Sequence, residues 1–128
     1  MPDPDAASAP FWEACARHEL LVQRCSSCGA YRHPPRPMCP ACNSFEHAWV
    51  RAAGTGAVWS FVVAHPPVLP AFAARAPYAV VVVELDEGVR MIGAVTGAPN
   101  DDLTIGLPVR VAWEDVEEGV ALPAWRPA

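Results

Sequence analysis

The chain has 128 residues and a net charge of −5, and all nine of its basic residues are arginines. This length fits one compact domain, or one domain with a small metal-held appendage, and excludes two full domains. With 52% hydrophobic and 18% charged residues, the composition is that of a packed globular protein. No apolar run approaches the roughly 20 residues that span a bilayer. The first residues also lack the features of a signal peptide, so we expect a cytoplasmic protein with no membrane partner.

The charge is unevenly distributed along the chain. Residues 17–51 carry a net charge of +3, whereas residues 1–16 and 52–128 carry −3 and −5. The positive segment could serve as a docking surface for an anion, but a scatter of arginines by composition explains it equally well. Because lysine is absent and the C-terminal segment is acidic, we expect no nucleic-acid partner.

The N-terminal part is predicted to contain a tail, a helix and a strand. Residues 1–10 are rich in Pro, Asp, Ala and Ser, which indicates a flexible tail. A short helix at Phe11–His18 and a strand around the apolar run 20–22 are predicted to occupy residues 11–23. The apolar helix positions are Phe11, Trp12, Cys15 and Ala16. A lone cysteine in such a position is typical of a core residue rather than a nucleophile.

Four of the five cysteines form two Cys-x-x-Cys pairs separated by ten residues: Cys25, Cys28, Cys39 and Cys42. In a reducing compartment this spacing predicts a metal site, because four thiolates complete a tetrahedral coordination sphere. A closed site leaves no position for substrate, so the expected metal is structural Zn²⁺, with rubredoxin-like iron as the chemically allowed alternative. We therefore predict a zinc ribbon at residues 24–47, with Gly29 and Asn43 in turns that favour positive φ.

Residues 48–128 show the pattern of a small β barrel. Five strands are predicted, at residues 55–65, 78–85, 89–97, 109–114 and 120–125. The proline-rich residues 66–77 are expected to form a long loop, and Pro123 is expected to place the last strand at an edge or a rim. Both faces of residues 78–85 are apolar, which favours a closed five-stranded barrel of the oligonucleotide/oligosaccharide-binding (OB) type over an open sheet. The predicted fold class is mainly β.

The barrel segment offers few candidates for catalysis. His65 ends a predicted strand and could lie at the barrel rim as a general base. The sequence shows no nucleophile or paired carboxylate at a spacing from His65 that would indicate a catalytic pair. The acidic clusters lie in predicted turns, where solvated carboxylates are common. Trp59 and Trp113 lie in predicted strands and are interpreted as core residues. We therefore predict no catalytic residue.

The chain resembles the zinc-ribbon/OB-fold acyl-CoA-associated family, which was formerly catalogued as a domain of unknown function. The resemblance runs from Phe11 to Trp125. It is carried by the segments FWEACARHELLVQRCSSCGAYRHPPRPMCPAC, VVVELDEGVRMIGAV and IGLPVRVAWEDVEEGVALPAW. The two cysteine pairs flank a Pro34-Pro35-Arg36 stretch, as in the family, whereas Asn43 stands where the family usually has glycine.

The resemblance implies a non-catalytic scaffold subunit. Its partner would be a thiolase-like enzyme (an acyltransferase or a retro-aldolase) or a hydratase, with acyl-CoA at the shared interface. Residues with an implied partner or CoA contact are Arg32, Pro35, Arg36, His65, Phe72 and Tyr78, of which Phe72 and Tyr78 are expected to be exposed anchors. The alternative from another class is a module that binds single-stranded nucleic acid, since OB barrels with zinc ribbons can do so.

Overall fold

The computed structural model describes residues 3–65, 69–75 and 77–128, with all side chains except those of Phe72, Ala73 and Arg75. Helix α1 and three short strands come first: α1 at Ala9–Ala16, β1 at Leu21–Cys25, β2 at Tyr31–Arg32 and β3 at His47–Arg51. Five longer strands follow: β4 at Thr55–Ala64, β5 at Tyr78–Leu85, β6 at Arg90–Val95, β7 at Pro108–Glu117 and β8 at Val120–Pro127. Short 3-10 helices lie at Pro70–Arg75 and Asn100–Asp102.

The strands form two separate sheets. The short strands make an antiparallel sheet in the order β2-β1-β3, and the long strands close a barrel in the order β4-β5-β6-β8-β7. The barrel pairs are antiparallel except for β6 and β8, which run parallel where Val95 lies beside Trp125. The predicted fold class is confirmed: a mainly β protein with an N-terminal helix, a ribbon and a closed five-stranded barrel of OB type.

Barrel closure depends on β4 pairing with a strand on each side. Gly56 lies beside Leu85 of β5 and also beside Val109 of β7. A Cβ atom at this position would lie 2.3 Å from the carbonyl oxygen of Glu84. Glycine therefore permits two neighbouring strands to approach β4 closely at the barrel seam.

The last strand is not an edge strand, and the prediction from Pro123 was wrong. β8 lies between β7 and β6 in the closed barrel. The parallel ladder with β6 involves only Ala124 and Trp125, so Pro123 lies just outside it. A proline is tolerated there because the ladder to β6 does not use its missing N–H group.

The interpretation of Trp59 as a core residue was also wrong. The pairing of β4 with β5 shifts register between Val58 and Ser60. Val58 is buried, whereas Trp59 is 48% exposed and the guanidinium of Arg90 lies 3.8 Å from its ring centroid. The bulge turns Trp59 away from the core, and Trp125 is the large aromatic residue that is fully buried inside the barrel.

The helix begins earlier than predicted, and Ala14 rather than the predicted Ala16 is buried beside Phe11 and Cys15. Residues 9 and 10, assigned to the tail, belong to its first turn, and the N–H of Ser8 at the N-cap donates to Oδ1 of Asp5 at 2.8 Å. The helix ends at Ala16, before His18 adopts a φ of 59°. Its buried residues Phe11 and Cys15 join the same hydrophobic cluster as the barrel interior. Helix, ribbon sheet and barrel therefore share one core.

Candidate metal centre and partner surface

The four cysteines of the two pairs lie on two turns with the same hydrogen bonds. In the first turn, the N–H of Gly29 donates to the carbonyl of Cys25 at 2.9 Å, and in the second, Asn43 donates to Cys39 at the same distance. Gly29 and Asn43 have φ values of 78° and 64°, as predicted from the sequence. Glycine and asparagine are the residues that best tolerate this conformation. The two turns are thus local copies of one structure that face each other.

The sulfur atoms form a cluster of the right size for one ion. The ligand atoms of Cys25, Cys28, Cys39 and Cys42 all lie within 4.8 Å of one another. Two of the Sγ–Sγ distances are 3.5 Å (Cys25–Cys42) and 3.6 Å (Cys28–Cys39). Four sulfurs about 2.3 Å from a central ion in a tetrahedron would be about 3.8 Å apart. The four cysteines are therefore positioned to bind one metal ion.

The protonation of these thiols also favours a bound cation. The backbone N–H of Cys28 donates to Sγ of Cys25 at 3.4 Å, and this bond, with further hydrogen bonds from Ser27 and the neighbouring thiols, lowers the pKa of Cys25 to about 6. For Cys42, a backbone hydrogen bond from Ser44 lowers the pKa, but the neighbouring thiols and burial outweigh it and raise the pKa to about 12. Four adjacent thiolates repel one another, so complete ionisation requires a positive charge at their centre.

Arg32 is placed inside the ribbon rather than on its surface. It is only 3% exposed, and its Nε donates to Oε1 of Gln23 at 2.8 Å. Its Nη2 donates to the carbonyl of Arg36 at 2.9 Å, while the N–H of Arg36 donates to the same Gln23 oxygen at 2.8 Å. The buried guanidinium therefore holds the Pro34-Pro35-Arg36 stretch against β1. This placement favours a structural role, and direct contact of Arg32 with a partner stays a prediction.

The other residues predicted to contact a partner lie in the ribbon and at one end of the barrel. Arg36 is exposed and Pro35 half-buried at the ribbon, and Tyr78 is half-buried at the start of β5. His65 is exposed after β4, with Nδ1 3.2 Å from the carbonyl oxygen of Val63. The side chain of Phe72 lies outside the described residues. Ala64 pairs with Tyr78, so His65 and Tyr78 lie at the same end of the barrel. The shared role of the residues predicted to contact a partner stays a prediction.

Sequence reasoning missed an apolar cavity between the helix and the barrel. His33 lines this cavity together with Phe11 and Trp12. Its ring centroid lies 5.1 Å from that of Phe11. The contacts that line the cavity join Phe11 and Trp12 of α1 to a loop more than 20 residues further along the chain. Local periodicity in the sequence does not predict contacts over such a separation.

Comparison with known proteins places these features in a family. Residues 12–48 match the family described as the ChsH2 rubredoxin-like zinc ribbon domain. Residues 49–114 match the ChsH2 C-terminal OB-fold domain. The chain belongs to the ChsH2 zinc-ribbon/OB-fold family. The resemblance seen in the sequence is thereby confirmed.

Curated relatives in this family include two hydratase subunits. A probable enoyl-CoA hydratase alpha subunit from Thermomonospora curvata is 46% identical over 92% of this chain and 37% of that protein. The 3-oxo-4,17-pregnadiene-20-carboxyl-CoA hydratase alpha subunit of Mycobacterium tuberculosis is 39% identical over 98% of this chain and 42% of that protein. The chain thus spans about two fifths of the length of these two relatives.

Other relatives match over most of their own length. A DUF35 domain-containing scaffold protein from Methanocaldococcus jannaschii is 33% identical over 80% of this chain and 72% of that protein. A solved structure described as an Ltp2-ChsH2(DUF35) aldolase is 42% identical, with a TM-score of 0.91. It covers 99% of this chain and 98% of the matched chain.

Within the described residues, no helix combines the length and apolar character needed to cross a membrane.

Proposed function

We propose that this protein is a non-catalytic accessory subunit that binds a thiolase-like or hydratase enzyme and supports acyl-CoA thioester chemistry. The main support for this proposal is the full-length similarity to a chain of an Ltp2-ChsH2(DUF35) aldolase, with a TM-score of 0.91 and 42% identity. Relatives described as hydratase alpha subunits and as scaffold proteins support the same role. The acyltransferase or retro-aldolase type of partner rests on the sequence resemblance.

The distribution of reactive groups supports a non-catalytic role. His65 is exposed, and among the described residues its ring hydrogen-bonds only to the carbonyl oxygen of Val63. Cys15 is fully buried, and burial raises the pKa of its thiol to about 12. A nucleophile needs an adjacent base and access to substrate, and neither group has both. We therefore assign the thioester chemistry to the partner.

We further propose that the metal is Zn²⁺ in a structural role. Four thiolates fill a tetrahedral sphere and leave no open position, which is the arrangement of structural zinc. Because thiolate ligands persist in a reducing compartment, we also propose a cytoplasmic location. Elemental analysis should find about one zinc ion per chain. A visible thiolate-to-iron absorption with equimolar iron would contradict the zinc assignment and indicate the iron alternative.

Arg36, an exposed arginine of the ribbon, is the best defined candidate for partner contact. Arg36 lies in the locally positive segment, and its backbone groups, rather than its side chain, hold the loop in place. Arg36→Ala should therefore preserve the fold and weaken assembly. Arginine is enriched among residues that dominate interfaces, where truncation typically costs more than about 1 kcal/mol, or about fivefold in affinity. Tyr78 and Phe72 remain proposed anchors, with acyl-CoA at the shared interface.

A pull-down with the tagged chain from its native host tests the proposal. Mass spectrometry should identify a thiolase-like or hydratase protein as the main captured protein. Recovery of this partner should fall with Arg36→Ala and remain unchanged with Arg110→Ala, an exposed arginine on β7. Capture of neither enzyme class, in a host that expresses both, would contradict the proposed function.

A further inference from the structure

The cavity between α1 and the barrel runs along one edge of β6. It has a volume of about 510 Å³, and five consecutive residues of β6 line it, from Arg90 to Ala94. Because successive side chains of a strand point to opposite faces, a cavity that touches five residues in a row lies beside the backbone rather than over one face. Its other walls are largely apolar and include Phe11, Trp12 and Leu122.

The edge of β6 that faces this cavity is only partly paired. Among the described strands, the ladder from β6 to β8 begins at Ala94, and the N–H of Thr96 then donates to the carbonyl of Trp125 at 2.8 Å. Backbone groups alternate between the two edges of a strand, so those of Ile92 point to the same side as those of Ala94 and Thr96. One step earlier in this register, the carbonyl of Ile92 would accept a bond from Pro123, which has no N–H. The ladder to β8 therefore stops, and the first half of β6 keeps an edge with which a further strand can pair.

The mouth of the cavity carries two carboxylates that are available to a cation. Asp5 lines the cavity, and hydrogen bonds from Ser8 lower its pKa, so it stays ionised. Glu13 is exposed on α1 and lines the smaller cavity next to it. Neither carboxylate forms an ion pair with a described residue. The other charged residues of the lining, Arg90 and Glu114, are already engaged in contacts. The mouth therefore attracts a positively charged group.

We propose that the cavity receives an extended segment of the partner enzyme, which pairs with β6 as an added strand. In this mode of peptide binding, backbone hydrogen bonds to a free sheet edge give affinity, and pockets for alternate side chains give specificity. Here the apolar walls take an apolar side chain, and Asp5 and Glu13 attract a lysine or arginine of the same segment. The inference rests on the proposed function, because it assigns the site to the partner named there.

Charge and size both disfavour a second copy of this chain as the occupant. Two copies related by twofold symmetry would bring the same carboxylates together, and like charges across an interface are unfavourable. A specific dimer of folded chains also buries about 800 Å² on each partner. A recess of about 510 Å³ takes only a few side chains, as suits a short extended segment.

Hydrogen exchange of the metal-loaded chain, alone and in complex with the captured partner, tests the site. The amide of Ile92 should exchange at least about tenfold more slowly in the complex, because a strand hydrogen bond protects it. Capture of a thiolase-like or hydratase partner without protection at β6 would overturn this inference and leave the proposed function standing. Capture of neither class would contradict the proposed function itself and overturn this inference with it.

Overlapping peptides of about 12 residues that cover the partner's sequence identify the segment. One of them should bind the isolated chain saturably in a fluorescence polarisation assay, and should contain a lysine or arginine near apolar residues. Methylation of its alternate backbone nitrogens should abolish binding, since it removes the N–H groups that pair with β6. The proposal is wrong if no peptide binds, or if the binding peptide tolerates methylation of every backbone nitrogen.

A pair of charge variants tests the mouth of the cavity. Asp5→Asn with Glu13→Gln removes both negative charges but keeps the side-chain oxygen of residue 5 that accepts from Ser8. This double variant should weaken binding of the peptide about fivefold. Asp101→Asn with Asp102→Asn, an equal change of charge at exposed residues outside the cavity, should leave the affinity unchanged. Equal effects of the two changes would contradict the assigned charge contact.

A second pair tests the apolar wall. Ile92→Asp places a charge at the lip of the cavity and should weaken peptide binding at least about tenfold. Val62→Asp, at a similarly exposed position on β4, should leave the affinity unchanged. Wild-type affinity in folded Ile92→Asp would overturn the proposal, and the charge variants together with the methylated peptides decide it if Ile92→Asp fails to fold.

Discussion

Cys15 differs from the other four cysteines because it is enclosed by apolar residues. It is fully buried, and desolvation raises the pKa of its thiol to about 12. Since the thiolate is the reactive form, alkylation at mildly alkaline pH should be slower than in the unfolded chain by roughly three orders of magnitude. Mass spectrometry after iodoacetamide treatment of the native, metal-loaded protein checks this, with the urea-unfolded chain as control. Rapid labelling of Cys15 in the native protein would contradict its placement.

His33 should make the stability of the protein depend on pH. Burial lowers its pKa from 6.5 to about 4, so below 6.5 the unfolded chain binds a proton that the folded chain does not. The free energy of unfolding should therefore fall as pH falls from 6.5 towards about 4. From about pH 7 to pH 5 the loss should be about 2 kcal/mol.

Comparison with His33→Phe isolates this contribution. Urea unfolding at both pH values should show a smaller loss of stability in the variant, because its side chain does not titrate. Protonation of the metal-binding cysteines affects both proteins equally and cancels in the difference. Equal pH dependence in the two proteins would show that His33 is accessible to protons in the folded state.

Individual residues differ in how far the sequence determines their role. The metal-binding cysteines were predictable because their spacing alone brings them together on two turns. The buried position of Arg32 could not be predicted, because it depends on Gln23 in a neighbouring strand. Trp59 was misplaced because a bulge reverses the expected alternation of inward and outward residues.

At the scale of the elements, a substitution at Gly56 tests whether the barrel closes through a close approach of β4 and β5. A Cβ atom there would approach the Glu84 carbonyl oxygen to 2.3 Å, so β4 and β5 would have to separate. Gly56→Ala should lower the free energy of unfolding by roughly 2–4 kcal/mol, as expected for overpacking between backbones. Chemical denaturation followed by circular dichroism measures the loss.

Gly106→Ala is the matched control for this substitution. Gly106 has a φ of 90° and open space where its Cβ atom would lie. Its replacement should cost only the conformational strain of about 1–2 kcal/mol. A cost at Gly56 no larger than at Gly106 would contradict the close approach at the seam.

Metal removal should affect the ribbon more than the barrel. The segment between β1 and β3 has few apolar contacts of its own, whereas the barrel has a continuous core. A strong chelator should therefore increase hydrogen exchange at the turns around Cys28 and Cys42 before it does so in β5. Cys25→Ser should reproduce this effect, and Cys15→Ser should leave metal content unchanged. Simultaneous loss of protection in β5 and the ribbon would show that the barrel also depends on the metal.

The strands were easier to predict than their arrangement at the barrel ends. The β-branched run at residues 78–85 coincides with β5 because alternation and length both indicate a strand. The helix start at Ala9 was missed because it depends on the turn between Asp5 and Ser8. The strand containing Pro123 was assigned to an edge because the local sequence does not show which part of β8 pairs with β6.

For the molecule as a whole, the shared core links the metal site to the barrel. Phe11, Leu20 and Val22 pack in one cluster with Val81 and Trp125 of the barrel. A metal-held ribbon attached in this way presents its exposed loop at a fixed position relative to the barrel. A rigid two-part surface loses little conformational entropy on association, as suits an accessory subunit.

We propose that this chain acts through a partner and not by its own catalysis. The most direct measurement is an acyl-CoA thioester turnover assay of the purified chain, of the captured partner, and of the two combined after co-elution from a size-exclusion column. We predict background rates for the chain alone and higher activity or solubility for the complex than for the partner alone. Robust turnover by the isolated chain, abolished by His65→Ala, would contradict the claim and make His65 a general base.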